Sequence, residues 1–199
     1  MLNLTDFARE VHAVAVEHGW WEGEENNDID TKIALIHAEW SEALEEYRAG
    51  RPMVWHECAW DGKPCDEGSE CDHFVGSDCD VGERCEKPEG IAVELVDGCI
   101  RIMDLVEAIK PGKYGWEALR SSLYAVDTKE DCTFGGFIAL LHGFISAAVV
   151  DDNKVVMLIM AASFALKWIA DQGIDPWELL QIKHEYNKTR SYRHGGKRC

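Results

Sequence analysis

A chain of 199 residues with 46% hydrophobic content is long enough for one domain with a sizeable core. Its formal net charge of −17 argues against a nucleic-acid backbone or an anionic membrane as partner. No apolar run reaches the roughly 18 residues a membrane span needs, and the first residues lack a charged start followed by an apolar run, so a cytoplasmic protein is expected.

Residues 5–18 are predicted as a first helix, capped by Thr5 or Asp6, with Phe7, Val11, Val14 and Ala15 as its buried face. Gly19 ends it, and Trp20 and Trp21 follow at the turn. An acidic loop over 22–30 leads to a second helix capped by Asp30 or Thr31. Within it, Ile33, Ile36, Trp40, Ala43 and Tyr47 recur at steps of three and four, the spacing of one helix face. Glu39, Glu42 and Glu46 form the neighbouring stripe.

Residues 51–88 are rich in Cys, Asp, Glu and Gly and keep no period, so this stretch is expected to be an irregular insertion. It carries Cys58, Cys65, Cys71, Cys79 and Cys85 at long, uneven gaps without a C-x-x-C pair. With His56 and His73 as further ligands it reads either as a small flap held by Zn2+ or as an acidic loop of reduced thiols; a redox-active pair is a poorer third choice. Pro88 suits the start of the next helix, which is expected to run to about Ala108. There Ala92, Leu95, Cys99, Met103 and Val106 make the apolar face, with Glu94, Asp97, Arg101 and Asp104 beside it. Residues 110–115 break the pattern. A short helix near 116–125, an acidic loop over 127–131, and apolar helices over 136–150 and 154–172 follow. Asp175-Pro176 opens a last helix reaching Arg190, with Pro at the favoured first-turn position. Six or so helices without a strand pattern predict an all-α fold, a helical bundle forming a single domain over 1–199.

Carboxylates three apart on a helix project side by side. If the two acidic helices pack through their apolar faces, Glu39, Glu42, Glu94 and Asp97 converge at the edge of the core. Like charges so close raise each other's pKa unless cations neutralise them. Hard oxygen ligands of this kind suit Mg2+, with Mn2+ as a substitute. On the last helix Lys183, Asn187 and Arg190 form one stripe at i, i+4 and i+7, with His184 and Lys188 on an adjacent face. In so acidic a chain this basic end either neutralises phosphate or is a solvated helix terminus favoured by the helix dipole.

The second half also echoes the first. LIHAEWSEAL (35–44) aligns with LLHGFISAAV (140–149), and VELVDGCIRIMDL (93–105) with VMLIMAASFALKW (156–168). At the four acidic positions the second half carries Phe144, Ala147, Met157 and Met160. Either amphipathic helices resemble one another by chance, or 136–172 is a degenerate copy whose four substituted residues face apolar surroundings.

E-x-x-E at 39–42, E-L-V-D at 94–97 and the ending KHEYNKTRSYRHGGKR (183–198) together resemble the all-α nucleoside triphosphate pyrophosphohydrolases, the MazG-like superfamily of phages and bacteria. The resemblance covers residues 1–50, 88–107 and 167–198 in order. The family usually sets its two acidic motifs a short loop apart, whereas here 51 residues separate Glu42 from Glu94. What the resemblance implies is Mg2+-dependent hydrolysis of a nucleoside triphosphate to the monophosphate and pyrophosphate. Glu39, Glu42, Glu94 and Asp97 would be the metal ligands, with Glu42 orienting the attacking water or taking its proton. Trp20 or Trp21 would stack on the base, and Arg101, Lys183, Asn187 and Arg190 would contact the substrate. The resemblance also implies a homo-oligomer, a dimer for preference, and dimeric dUTPases of the superfamily look similarly built from an internal second unit. No G-x-x-x-x-G-K-S/T phosphate loop is present. Two other readings stay open: a nucleotide-binding regulator with little turnover, and a non-catalytic helical interaction module.

Overall fold

The computed structural model describes residues 2–23, 28–57, 64–65, 87–114, 116–122 and 132–193. Among them the helices are α1 (Leu4–Glu17), α2 (Ile29–Arg48), α3 (Ile91–Ile109), α4 (Glu117–Ser122), α5 (Phe134–Val150), α6 (Lys154–Asp171) and α7 (Pro176–Thr189). Strands β1 (Trp55–Glu57), β2 (Pro64–Cys65) and β3 (Lys87–Glu89) form a small antiparallel sheet in the order β2-β1-β3. The architecture is mostly helical, as the periodicity predicts.

Helix α3 is the axis. Fourteen of its nineteen residues are buried, the pattern of a helix surrounded by others. It packs against α1, α2, α6 and α7, while α5 closes the bundle against α2 and α6. Ile33, Ile36, Trp40 and Ala43 of α2 are buried as expected. Tyr47 is not: it is 53% exposed, lying over the Phe134 ring at 4.7 Å. Where α2 and α3 meet, a Cβ on Gly98 would come within 2.1 Å of the Trp40 indole nitrogen, which donates to the Leu95 carbonyl at 3.2 Å. The missing side chain lets the two helices approach this closely.

Two expected caps are corrected. Asn3 caps α1, accepting from the Thr5 and Asp6 amides, and Asp28 caps α2, accepting from Asp30 and Thr31. In both helices the residues expected to cap are the donors whose amides need an acceptor. Asp175 caps α7 with Pro176 following, as predicted. The start of α3 is also corrected. Pro88 belongs to β3, and the turn into the helix is made by Gly90 at φ +114°, where a Cβ would lie 2.8 Å from the Pro52 and Met53 carbonyl oxygens. Only glycine fits there.

The insertion is therefore not wholly irregular. Pairing of β1 with β3 sets Trp55 opposite Glu89 and Glu57 opposite Lys87, so its two ends lie side by side. The Trp55 indole donates to Glu46 at 2.7 Å, tying the sheet to α2. Cys58, Cys71, Cys79, Cys85 and His73 lie outside the described residues, and only the backbone of Cys65, in β2, is described. His56, in β1, is half-buried.

In the second half, residues that match in the aligned segments touch. His37 and His142 stack with centroids 4.9 Å apart and Nδ1 atoms at 2.6 Å. The Cys99 Sγ lies 4.0 Å from the carbonyl oxygen of its counterpart Ala162. Phe144 packs on Phe164 at 5.3 Å, and Met157 is partly buried against the core. Ala147 is half-buried, but Met160 is 38% exposed, which corrects the expectation that all four face apolar surroundings. No single helix among the described residues is long and apolar enough to cross a membrane.

Candidate functional site

A cavity of about 420 Å³ opens between α1, α2, α3, α7 and β3. Its apolar lining comes from Val11, Val14 and Ala15 of α1, Leu35 and Ala38 of α2, and Ile100 of α3, and Trp20 and His18 line it as well. Val14 and Ala15 are thus only half-buried, facing this space rather than the core. Charged residues line the same cavity. One oxygen from each of Glu39, Glu94 and Asp97 lies within 4.8 Å of the others. The sequence neighbours explain this: Glu39 precedes Trp40 and Asp97 precedes Gly98, and the Trp40 indole packs directly on Gly98.

The three carboxyl groups are partnered by two cations. Arg101 Nε donates to Glu39 Oε1 at 2.5 Å. Lys183 Nζ, only 2% exposed as a residue, lies 2.9 Å from Asp97 Oδ2 and donates to the Pro88 carbonyl at 3.1 Å. Burial pushes the Glu94 carboxyl up to about 10, with Asp97 adding to the effect. Burial also raises the Glu39 pKa, against the pull of Arg101. Burial works against the charge on Lys183, but Asp97 and Glu94 outweigh it and hold its pKa above the usual lysine value. Two cations thus face the carboxyl cluster, and Glu94 is further held by a side-chain hydrogen bond with Glu89.

Glu42 lines the cavity but is exposed and stands outside the three-oxygen cluster. Asn187 donates from Nδ2 to Asp97 Oδ1 at 3.3 Å, while its own buried Oδ1 has no hydrogen-bond partner among the described residues. Lys183, Asn187 and Arg190 all line the cavity, so the basic stripe of α7 faces the acidic motifs. Lys183 nevertheless does structural duty, neutralising Asp97 and pinning β3 to α7.

The two tryptophans part company. Trp20 lines the cavity and its carbonyl accepts from Lys32 Nζ at 2.6 Å. Trp21 donates its indole N–H to Asp104 at 2.9 Å and receives the Lys32 ammonium over its ring at 4.7 Å. Asp104 also pairs with His12 Nδ1 at 2.6 Å. The segment after α7 straps this turn down: Arg193 donates to the Gly19 and Glu22 carbonyls at 3.1 Å, and the Tyr192 hydroxyl to the Glu22 carboxylate.

Sequence reasoning missed Lys32, Lys87 and Glu89, all of which line the cavity. His184, placed by the sequence on the face beside the basic stripe, also lines it; its buried Nε2 sits 3.6 Å from Glu10 without a hydrogen bond. Comparison of the chain with protein-family models, curated proteins and solved structures found no match.

Proposed function

We propose that the protein is a Mg2+-dependent nucleoside triphosphate pyrophosphohydrolase, releasing the monophosphate and pyrophosphate. The observation that carries this reading is the convergence of Glu39, Glu94 and Asp97 oxygens within 4.8 Å in a cavity that also has an apolar lining. All-oxygen, carboxylate-rich donors of this kind fit Mg2+ or Mn2+. Such an ion, when bound, would polarise phosphoryl oxygens and lower the pKa of a bound water.

The chain's own residues supply the rest. Glu39, Glu94 and Asp97 hold the ion. Glu42, exposed at the cavity wall, is free to orient the water or accept its proton. Arg101, Arg190 and Lys183 set positive charge around the phosphates. Trp20 and the apolar wall exclude water from the base, and the unpartnered Asn187 Oδ1 accepts a hydrogen bond from base or sugar. We infer further that the α5–α6 hairpin is a degenerate copy of α2–α3: in a two-fold arrangement, residues near the axis meet their own counterparts, as His37 and His142 do. On that reading each chain carries one site, and any homo-oligomer forms without contributing to it.

One observation favours the regulator reading instead. Arg101 and Lys183 already occupy two of the three carboxylates, so the site is stable without an ion. Pyrophosphate release, followed as phosphate after added pyrophosphatase over canonical and damaged deoxynucleoside triphosphates, separates the two. Release is expected with Mg2+, falling to background in Glu39→Gln and Asp97→Asn with the helical circular dichroism intact. Release from no triphosphate, with binding retained, would leave the regulator.

A further inference from the structure

We infer that Lys87, carried by the last strand of the insertion, is a phosphate-binding residue of the cavity, held ready by Glu57 and Glu89. The inference rests on the nucleoside triphosphate reading and extends it to a segment that the acidic motifs do not include. Lys87 lines the same cavity as Glu39, Glu94 and Asp97, yet its side chain is 39% exposed, unlike the buried Lys183. Its ammonium is therefore accessible within the cavity lining, able to meet a polyphosphate held at the carboxylate cluster.

Its position is fixed by backbone rather than by chance. The Lys87 and Glu57 positions face each other in the β1–β3 ladder, with the side chains 3.1 Å apart, and Lys87 also pairs with Glu89. Pro88, between Lys87 and Glu89, gives its carbonyl to Lys183. The Gly90 turn then fixes the strand against the start of α3. Lys87 and Glu89 lie two apart on a strand and so share one face, the face turned to the cavity. An ammonium between two carboxylates is a compact charge with three rotatable donors, able to exchange one acceptor for a phosphate oxygen. Glu57, on the central strand, competes with phosphate for that ammonium. Removing Lys87 and removing Glu57 should therefore act in opposite directions on phosphate binding, which a purely structural staple between strands would not do.

The test is calorimetric titration of the full chain, with Mg2+, using a non-hydrolysable nucleoside triphosphate and the matching monophosphate. Loss of one charge-assisted hydrogen bond predicts that Lys87→Met weakens the triphosphate about 10-fold or more while the monophosphate changes by less than about 2-fold. Lys87→Arg should restore most of the affinity. Glu57→Gln, which keeps Lys87 in place, should tighten the triphosphate by about 2- to 5-fold. Unchanged triphosphate affinity in Lys87→Met, or weakening in Glu57→Gln, overturns the inference. Should Lys87→Met fail to fold, Glu57→Gln alone decides. Failure of the unsubstituted protein to bind any triphosphate is a different result, and it overturns the nucleotide reading itself.

Discussion

The hairpins α2–α3 and α5–α6 face each other in one bundle, yet one carries a charged cluster and the other hydrocarbon. On the first, Glu39, Glu94 and Asp97 are covered by α1, α7 and β3, and Arg101 and Lys183 neutralise them. On the second, Phe144 and Met157 lean on the core while Met160 and Val156 remain substantially exposed. The difference shows that carboxylates at the edge of a core require a complete enclosure of partners, whereas apolar residues at matching places need none and can be left half open. A buried charge without its partner costs several kcal/mol, and an exposed methionine costs almost nothing.

The comparison breaks most severely at Lys183. Replacing it with Met leaves Asp97 buried beside Glu94 without its counter-ion and frees β3, and should destabilise the protein by about 3–5 kcal/mol in urea denaturation. The second half's Lys167–Asp171 pair is nearer the surface, so Lys167→Met should change stability by less than about 1 kcal/mol. Comparable losses at the two lysines would mean that burial is not what distinguishes the halves.

Glu94→Gln acts the other way. The folded metal-free protein raises this carboxyl above its unfolded value near 4.5, so it contributes full stability below that pH and loses it as pH rises. The amide escapes the loss and should stabilise the metal-free protein by roughly 1–3 kcal/mol at pH 7.5. The gain should fade on titrating towards pH 4.5. Melting curves at both pH values in a chelating buffer check it, and a pH-independent gain would point to packing instead.

The second hairpin can be probed with charges of its own. Phe144→Glu, set against Phe164 and the core, should cost about 1–2 kcal/mol, while Met160→Asp should fall within about 0.5 kcal/mol of the parent. Neither should add a nucleotide site, and a stoichiometry of two per chain would defeat the single-site reading.

The smallest effect belongs to the contact between the halves. With Nδ1 atoms 2.6 Å apart, one imidazole of His37 and His142 donates and the other accepts, so both cannot be protonated. Burial lowers both pKa values, and His37 lowers that of His142 further. Groups with depressed cationic pKa destabilise the fold as pH falls below about 6.5, the unfolded value. His142→Phe should flatten that slope slightly; burial depresses His184 as well, so part of it should remain. An unchanged pH profile would show that the pair does not titrate with folding.

Much of this arrangement was legible in the sequence because it is periodic. The faces of α2 and α3, the stripe on α7 and the four acidic positions follow from steps of three and four, and the structure gathers Glu39, Glu94, Asp97, Lys183, Asn187 and Arg190 around one cavity. Glu89 and Lys87 were not legible. They sit on a strand of three residues, too short to show alternation, and their partner strand lies 30 residues away in a register that no local signal encodes. Lys183 was picked out as a polar residue on a helix stripe, but nothing in a stripe reveals that its ammonium is sealed from solvent. Cap positions slipped because Asn3 and Asp28 lie just outside the periodic residues that defined each helix.

Gly98 touches neither a carboxylate nor the cavity, yet the absence of its side chain sets how near α2 and α3 can lie, and hence how near Glu39 can come to Asp97. The cluster is therefore calibrated from behind, by the seat that Trp40 finds on a bare stretch of helix. A single methyl group there would prise the helices apart and lengthen the spans from Glu39 to Glu94 and Asp97, which share α3. On the Mg2+ reading proposed above, discrimination between a small, exacting ion such as Mg2+ and a larger, more tolerant one such as Ca2+ would then shift without any of the three carboxylates being altered. In this bundle the spacing of the carboxyl cluster is set at a helix crossing, by a residue with no functional group at all.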